Sequence, residues 1–309
     1  MRYSIIIPAY NSRSTVGKCI RSCLDQQPGR DNSGEIIVVD DGSEDGTDEL
    51  LQQFSNQNVR VLRHRENRGL AAARNTGMEC AEGQILFFID ADITVPPHFV
   101  ESHLHYYQRG PEILGIINGT QPGPEVPDTM FTRYLYSEAR GASSAGEGGT
   151  VPAHQMLFTC SSLRRRVYES VGGFDETITV YGGEDTEYAF RIAKAVEGRF
   201  VFTNHSLPRH HHYRSLKPTM QLLRGYGAKT APYLLERHPD IKPYLGLHYL
   251  DSPLSGFKTV LWKTLLTSRV LLHTLRTTYR ILPPFLRRKI IKFLLGASLI
   301  RGYLESEET

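Results

Sequence analysis

Asp90 and Asp92 stand one residue apart at the end of the apolar run Ile85-Leu86-Phe87-Phe88-Ile89. A run so rich in β-branched and aromatic residues is of the kind buried on both faces of a parallel sheet, so it predicts paired carboxylates at a strand's C-terminal end. In an open α/β sheet ligands bind in the crevice beyond those ends, and two hard oxygen donors there suit a divalent cation carrying a phosphate. A polar turn accounts for the two aspartates as well. Glu184 and Asp185 open a second such place, at the start of a helix after Gly182-Gly183, where a carboxylate is electrostatically welcome and presented from fixed backbone, or is a simple cap. His210, His211 and His212 supply imidazoles, which suit a manganese-type site, with a polar loop as the competing account. Asn67-Arg68-Gly69-Leu70 leads into an Ala-rich helix whose free N-terminal N–H groups suit a phosphate. Arg74 within it either serves that site or is a surface arginine on a packed helix.

The elements that must position these groups alternate. Tyr3–Ile7 reads as a strand stopped by Pro8-Ala9-Tyr10-Asn11, Ser14–Gln27 as a helix, and Glu35–Val39 as a second strand that again ends in carboxylates, Asp40-Asp41-Gly42-Ser43. A helix capped by Asp45 or Thr47, a strand at 59–62, the helix 71–80 and the strand 85–89 follow. A helix after Pro96-Pro97 and a strand at 113–117 extend the alternation, which implies a parallel sheet with right-handed crossovers. The glycine-rich stretch 141–149 predicts a mobile loop, either a lid or a plain surface turn. Met156-Leu157-Phe158 reads as a strand, Arg164-Arg165-Arg166 as the start of a basic helix, 186–195 as a helix and 200–202 as a strand.

With 309 residues and 40% hydrophobic content, the chain is long enough for one large domain and an appendage. A net charge of +3 argues against nucleic acid as a partner. Cys19, Cys23, Cys80 and Cys160 form no CxxC pair, so reduced thiols in a cytosolic setting are expected rather than disulfides or zinc. Met1-Arg2-Tyr3 runs directly into a strand too short for a signal-peptide core, which again points to the cytoplasm.

Taken in order, Ile7-Pro8-Ala9-Tyr10-Asn11, Val38-Val39-Asp40-Asp41-Gly42-Ser43, Asn67-Arg68-Gly69 with Ala73-Arg74-Asn75, Asp90-Ala91-Asp92, Gly172-Gly173-Phe174-Asp175 and Gly183-Glu184-Asp185 resemble the family 2 glycosyltransferases of the GT-A fold. The resemblance covers residues 3 to 215 and implies a mostly parallel, Rossmann-like sheet flanked by helices. It implies metal-assisted, inverting transfer of a sugar from a nucleotide diphosphate sugar to a glycan or lipid-linked acceptor, with Mn2+ or Mg2+ as cofactor. By the same resemblance Pro8, Ala9, Tyr10, Asn11, Asp41, Arg68, Gly69, Arg74, Asp90 and Ala91 bind the nucleotide sugar. Pro8, Tyr10 and Asp41 form the base and ribose pocket, Asp41 hydrogen-bonding the base, and Asp90 lies near the ribose and diphosphate. Asp92 holds the metal, completed by His210 first and His212 second. Asp185 is the general base, with Glu184 as its fallback. UDP leads among the nucleotides because the family most often uses it; GDP and dTDP stay open.

Two other accounts are weighed. A nucleotidyltransferase would carry a glycine-rich, Lys/Arg-bearing phosphate loop after its first strand, and Pro8-Ala9-Tyr10-Asn11 is not one. A catalytically inactive, nucleotide-sugar-binding scaffold is opposed by the presence of Asp92 and Asp185.

Residues 216–309 read as a helical extension to the catalytic domain 1–215. Met220–Leu235 is a helix whose Gln221-Leu222-Leu223-Arg224-Gly225-Tyr226 only faintly matches the signature of processive synthases. Residues 257–304 hold ten Lys or Arg and no Asp or Glu. Lys258, Arg269, Arg276 and Arg280 share one helical stripe, and Phe257, Leu261, Leu271, Leu272 and Leu275 another. After Pro283-Pro284, Ile290, Phe293, Leu294 and Ala297 face away from Arg287, Arg288 and Lys289. No run approaches the roughly 20 apolar residues that spanning needs. Basic amphipathic helices without a span read as lying on the anionic inner face of a membrane, against the alternative that they pack on the catalytic domain or on another subunit of a homo-oligomer.

Overall fold

A computed structural model of the chain describes residues 1–29, 31–55, 58–179, 182–250 and 264–307. In order, the elements are β1 (Arg2–Ala9), α1 (Val16–Leu24), β2 (Ser33–Asp40), α2 (Thr47–Gln52), β3 (Val59–Arg63), α3 (Leu70–Cys80), β4 (Ile85–Ile89), β5 (Ile93–Thr94), α4 (Phe99–Arg109), β6 (Ile113–Asn118), β7 (Gln121–Pro122) and α5 (Met130–Leu135). There follow β8 (Thr150–Val151), β9 (Cys160–Arg164), α6 (Arg165–Val171), α7 (Glu184–Ala195), β10 (Arg199–Thr203), β11 (Arg209–His210), α8 (Leu216–Gly225), α9 (Ala231–Arg237), α10 (Arg269–Thr278) and α11 (Pro284–Glu307). They condense into two compact units. The first holds Met1–Val126, Tyr136–Thr179 and Glu184–His212; the second holds Pro127–Leu135, Val180–Gly183 and Tyr213–Thr309.

The first unit is built on an eight-stranded sheet of order β3-β2-β1-β4-β9-β6-β10-β8, parallel except for β9 and β8. Alternation along β1 sends Ile5 and Ile7 into a layer with Val16 and Ile20 of α1 and Phe99 and Leu104 of α4. Ile6 goes to the opposite layer, with Ala73 and Met78 of α3, Val167 of α6 and Tyr188 of α7. Both faces are covered, which is why β1, β2 and β4 read as unbroken apolar runs.

Two expectations change here. Met156 and Phe158 are fully buried, but they plug the core from a loop, and the strand is Cys160–Arg164. Its polar Ser162 is buried because His103 Nδ1 and Tyr107 OH lie 2.7 and 2.9 Å from its hydroxyl. The glycine-rich stretch is pinned rather than loose. Thr203 Oγ1 and the Asn204 N–H donate to Glu147 at 2.9 and 2.7 Å, and the Gly148 N–H donates to Phe202 O at 2.9 Å.

A small second sheet of order β5-β11-β7 lies in the same unit, with Arg209 opposite Thr94 and His210 opposite Ile93. Arg209 and His210, at the head of the segment read as metal-ligating imidazoles with a polar loop as the competing account, are therefore a short strand, and the His211 N–H that follows donates to Asp92 O at 2.8 Å.

In the second unit α8 continues through a π-helical turn, Tyr226–Thr230, into α9. The π turn and α8 press so closely on α11 that a methyl group at Gly302 would overlap Arg224 O, and one at Gly227 would overlap Leu299 O. Ile291, Leu294, Leu295, Ala297 and Ile300 of α11 are buried with Leu216, Ala231 and Leu272. The apolar face of α11 assigned to a membrane is thus covered by its own unit, which corrects that part of the expectation. Val270, Ile281 and Phe285 are exposed. Phe257, Lys258 and Leu261 lie outside the described residues. Among the described residues no helix is long and apolar enough to cross a membrane.

Candidate active site

The centre of the site is Arg74, which is completely buried. From α3 its Nη1 reaches Asp185 Oδ1 at 2.7 Å and Glu184 Oε1 at 3.5 Å, while Nη2 reaches Asp90 Oδ1 at 3.3 Å. Phe174 covers the guanidinium, its ring centre 5.3 Å away. Asn75 holds Phe174 in place by bonding both its N–H and its carbonyl, at 2.7 and 2.9 Å. The glycine at 173 leaves room for that clamp, since a side chain there would strike Asn75. The Ala-Arg-Asn and Gly-Gly-Phe-Asp motifs are one structural device, which ties the end of β4 to the start of α7. Arg74 is therefore neither a surface arginine nor a group open to a phosphate; it is the shared counter-ion of three carboxylates.

That sharing leaves the acids under-neutralised. Burial pushes Asp90 up to about 7; Arg74 pulls it down, and the charges of Asp92 and Asp185 push it up again. Burial and the charge of Asp185 likewise push Glu184 up to about 7 against the pull of Arg74.

Asp92 sits just beyond, where β11 delivers His210, its Nε2 3.4 Å from Asp92 Oδ2. Burial alone would raise Asp92, but the bond and charge of His210, with His212 behind it, hold it below the usual carboxylate range. Just past the end of β11, His212 comes back beside His210, with ring centres 6.4 Å apart, while His211 turns away to Thr94 and Glu125. Tyr136 OH lies 3.1 Å from His210 Nδ1. Sequence reasoning missed Tyr136 because it acts through His210 and belongs to no motif; its hydroxyl fixes which way the imidazole points.

Asp92 Oδ1 is buried with no hydrogen-bond partner. An orphaned carboxylate oxygen with an imidazole on its twin fits a divalent cation. Among the described residues no cluster of three or more His, Cys, Asp or Glu is poised for one. Two protein donors suffice for a cation of the Mg2+ type, which keeps waters and takes substrate phosphate oxygens.

The residues assigned to the nucleotide divide. Tyr10, Asn11 and Arg68 are exposed at the ends of β1 and at the start of α3, with Gly69 half-buried beside them. Pro8, Ala9 and Ala91 are buried backbone supports. Asp41 is 3% exposed, and its oxygens take the Arg68 and Gly69 N–H groups at 2.9 and 2.8 Å and face His64 Nδ1 at 2.7 Å. Its work here is to hold the turn that starts α3. Arg68 pairs with Glu176 at 3.0 Å. A cavity of about 260 Å3 lies beside Tyr136, lined also by Gln121, Glu138, Phe202 and Asn204.

Residues 4–172 match the family described as "Glycosyl transferase family 2", and residues 152–216 match "N-terminal domain of galactosyltransferase". Glycosyltransferase AglE of Haloferax volcanii is 38% identical over 215 residues, 63% of this chain and 65% of the relative. The pre-mycofactocin glycosyltransferase of Mycobacterium tuberculosis is 27% identical over 243 residues, 77% of this chain and 48% of the relative. The chain thus spans about half to two thirds of the length of these curated relatives. Among solved structures, the mannosyltransferase PcManGT from Pyrobaculum calidifontis, in complex with GDP-Man and Mn2+, matches with a TM-score of 0.65 at 20% identity, over 97% of this chain and 86% of that one. S. aureus TarS 1–349 in complex with UDP matches at 0.56 and 18%, over 100% and 90%. The sheet and its flanking helices are those of the GT-A fold, and by a match over more than half of its residues the chain belongs to glycosyl transferase family 2.

Proposed function

We propose that the chain transfers a sugar from a nucleotide diphosphate sugar, with UDP the first nucleotide to test, to a hydroxyl of a glycan or lipid-linked acceptor with inversion. The observation that carries this reading is one partly buried cluster assembled from four segments: Arg74, Asp90 with Asp92, Glu184 with Asp185, and His210. The GDP-Man and Mn2+ of PcManGT and the UDP of TarS support a nucleotide sugar and a cation here. Asp92 and His210 would hold Mn2+ or Mg2+, with His212 in reserve. Bound there, the cation supplies Lewis-acid neutralisation of the departing diphosphate.

Asp185 is the base. Arg74 fixes one of its oxygens, and the other takes the acceptor's hydroxyl proton as the acceptor oxygen attacks the anomeric carbon. The bond from that carbon to the diphosphate oxygen breaks on the opposite face, so an α-linked donor gives a β-linked product. Glu184, raised to about 7 by burial and the charge of Asp185 and 3.5 Å from the same guanidinium nitrogen, is the fallback base. Tyr10, 48% exposed, offers its ring to the nucleotide base, and the first turn of α3 offers N–H groups to the diphosphate. The cavity beside Tyr136, with an aromatic wall and amide and carboxylate groups, suits a sugar ring. Exposed Val270, Ile281 and Phe285 in the basic C-terminal segment support a peripheral position on the cytoplasmic membrane face.

Calorimetric titration of UDP, GDP and dTDP with Mn2+ and with EDTA tests the reading. One nucleotide should bind in a metal-dependent way that Asp92→Ala abolishes, while Asp185→Asn should keep binding and lose turnover. No binding of any nucleotide by folded protein overturns it.

A further inference from the structure

Five cationic side chains line one cavity of the second unit. Lys217 and Arg224 of α8, Arg269 and Arg276 of α10, and Arg301 of α11 surround a hollow of about 230 Å3. The spacing is regular. α8 contributes Lys217, Gln221 and Arg224, and α10 contributes Arg269, His273 and Arg276, so each helix turns an i, i+4, i+7 face to the same hollow. Three helices converge cations on one point, where like charges repel unless something answers them.

One carboxylate answers part of it. Glu305 takes Arg224 Nε and Nη2, each at 2.6 Å, and Arg301 Nε at 3.1 Å. Arg276 Nη2 donates to His273 Nδ1 at 3.3 Å, a contact with no charge to offset its own. Among the described residues Lys217 and Arg269 have no carboxylate partner; both are exposed at the rim. The surplus is five cations against Glu305, in a space more than ten times the roughly 15 Å3 that one water needs. Guanidinium forks match phosphate oxygens two at a time, and an ammonium adds a point charge.

We propose that this cavity binds a phosphate or diphosphate group. The source is either a soluble phosphate compound or the headgroup of a lipid, for which Val270, next to Arg269 on α10 and 78% exposed, supplies an apolar neighbour. The inference goes beyond the transfer reaction and does not rest on it.

The test uses the full chain in EDTA, so that a metal-dependent donor site stays silent. Inorganic pyrophosphate is titrated calorimetrically, and co-sedimentation is measured with vesicles of phosphatidylcholine alone and of an equimolar mixture with phosphatidic acid. Binding of pyrophosphate alone identifies a soluble ligand, binding of the phosphatidic acid vesicles alone a headgroup, and binding of both a phosphate common to the two. Lys217→Gln with Arg269→Gln, both at the rim and outside the core, should weaken whichever binding is seen by about ten-fold for each cation removed, and Arg276→Gln alone by about ten-fold. Asp92→Ala should leave it unchanged. The proposal fails if neither probe binds, if the rim substitutions leave affinity untouched, or if Asp92→Ala alone removes it.

Discussion

Replacing Arg74 with Met tests whether this residue is the keystone of the carboxylate cluster. The substitution keeps most of the side-chain volume and the contact with Phe174 but removes the cation from Asp185, Asp90 and Glu184, which lie 2.7 to 3.5 Å from its nitrogens. Removing one partner from a buried ion pair costs about 3–5 kcal/mol. Asp90 is 26% exposed at its side chain and partly solvated, so the lower end, about 3 kcal/mol, is expected. The loss must depend on pH. Asp90 and Glu184 already titrate near 7 in the folded protein, against ordinary values of 3.8 and 4.5. A raised acid binds its proton more tightly when folded, so its stabilising contribution is complete below the unfolded value and is lost as pH rises through the folded one.

Without Arg74 both acids rise further, so the variant should lose most at about pH 8 and much less at about pH 5, where the acids carry protons. Urea unfolding followed by circular dichroism in EDTA measures this, provided the slope with denaturant matches that of the parent. Glu184→Gln on the Arg74→Met background should recover part of the loss at the higher pH, because it removes one of the stranded charges. Equal losses at both pH values, or a loss under about 1 kcal/mol at the higher, would refute the assignment of Arg74 as shared counter-ion.

Tyr136→Phe should lower metal-dependent nucleotide affinity or turnover by about 10- to 100-fold with stability unchanged, measured by calorimetry and thermal unfolding, because it removes only the orienting bond to His210. Asp41→Asn should cost about 1.5–3 kcal/mol in urea unfolding, since it weakens charge-assisted bonds to the Arg68 and Gly69 N–H groups; an unchanged stability with weaker nucleotide binding would return Asp41 to a purely ligand-facing role. Gly302→Ala should destabilise the second unit by about 1–3 kcal/mol, read from amide exchange in α8 and α11, because the added methyl group must separate the two helices at Arg224 O.

How far the site could be read from residues alone depends on the distance over which each residue's role is decided. β1, β2 and β4 were legible because burial on both faces writes itself locally as an apolar run, and the carboxylates that end those runs came with them. β9 was not, because Ser161 and Ser162 are buried polar residues, Ser162 satisfied by His103 from another helix, while the more apolar Met156 and Phe158 fill the core without strand geometry. β11 has two residues and exists only through its pairing with β5 and β7, so the histidines gave no local sign of which one faces Asp92. Arg74 shows the limit most clearly. On a helical wheel it shares the buried face of Ala71, Gly77 and Met78, but its partners Glu184 and Asp185 lie more than a hundred residues away. The ordered motifs told that these residues belong together; the contacts that sort them, Arg74 against Asp185, Glu184 and Asp90, Asp41 against the Arg68 and Gly69 N–H groups, and Asp92 beside His210, lie between elements that no single segment encodes.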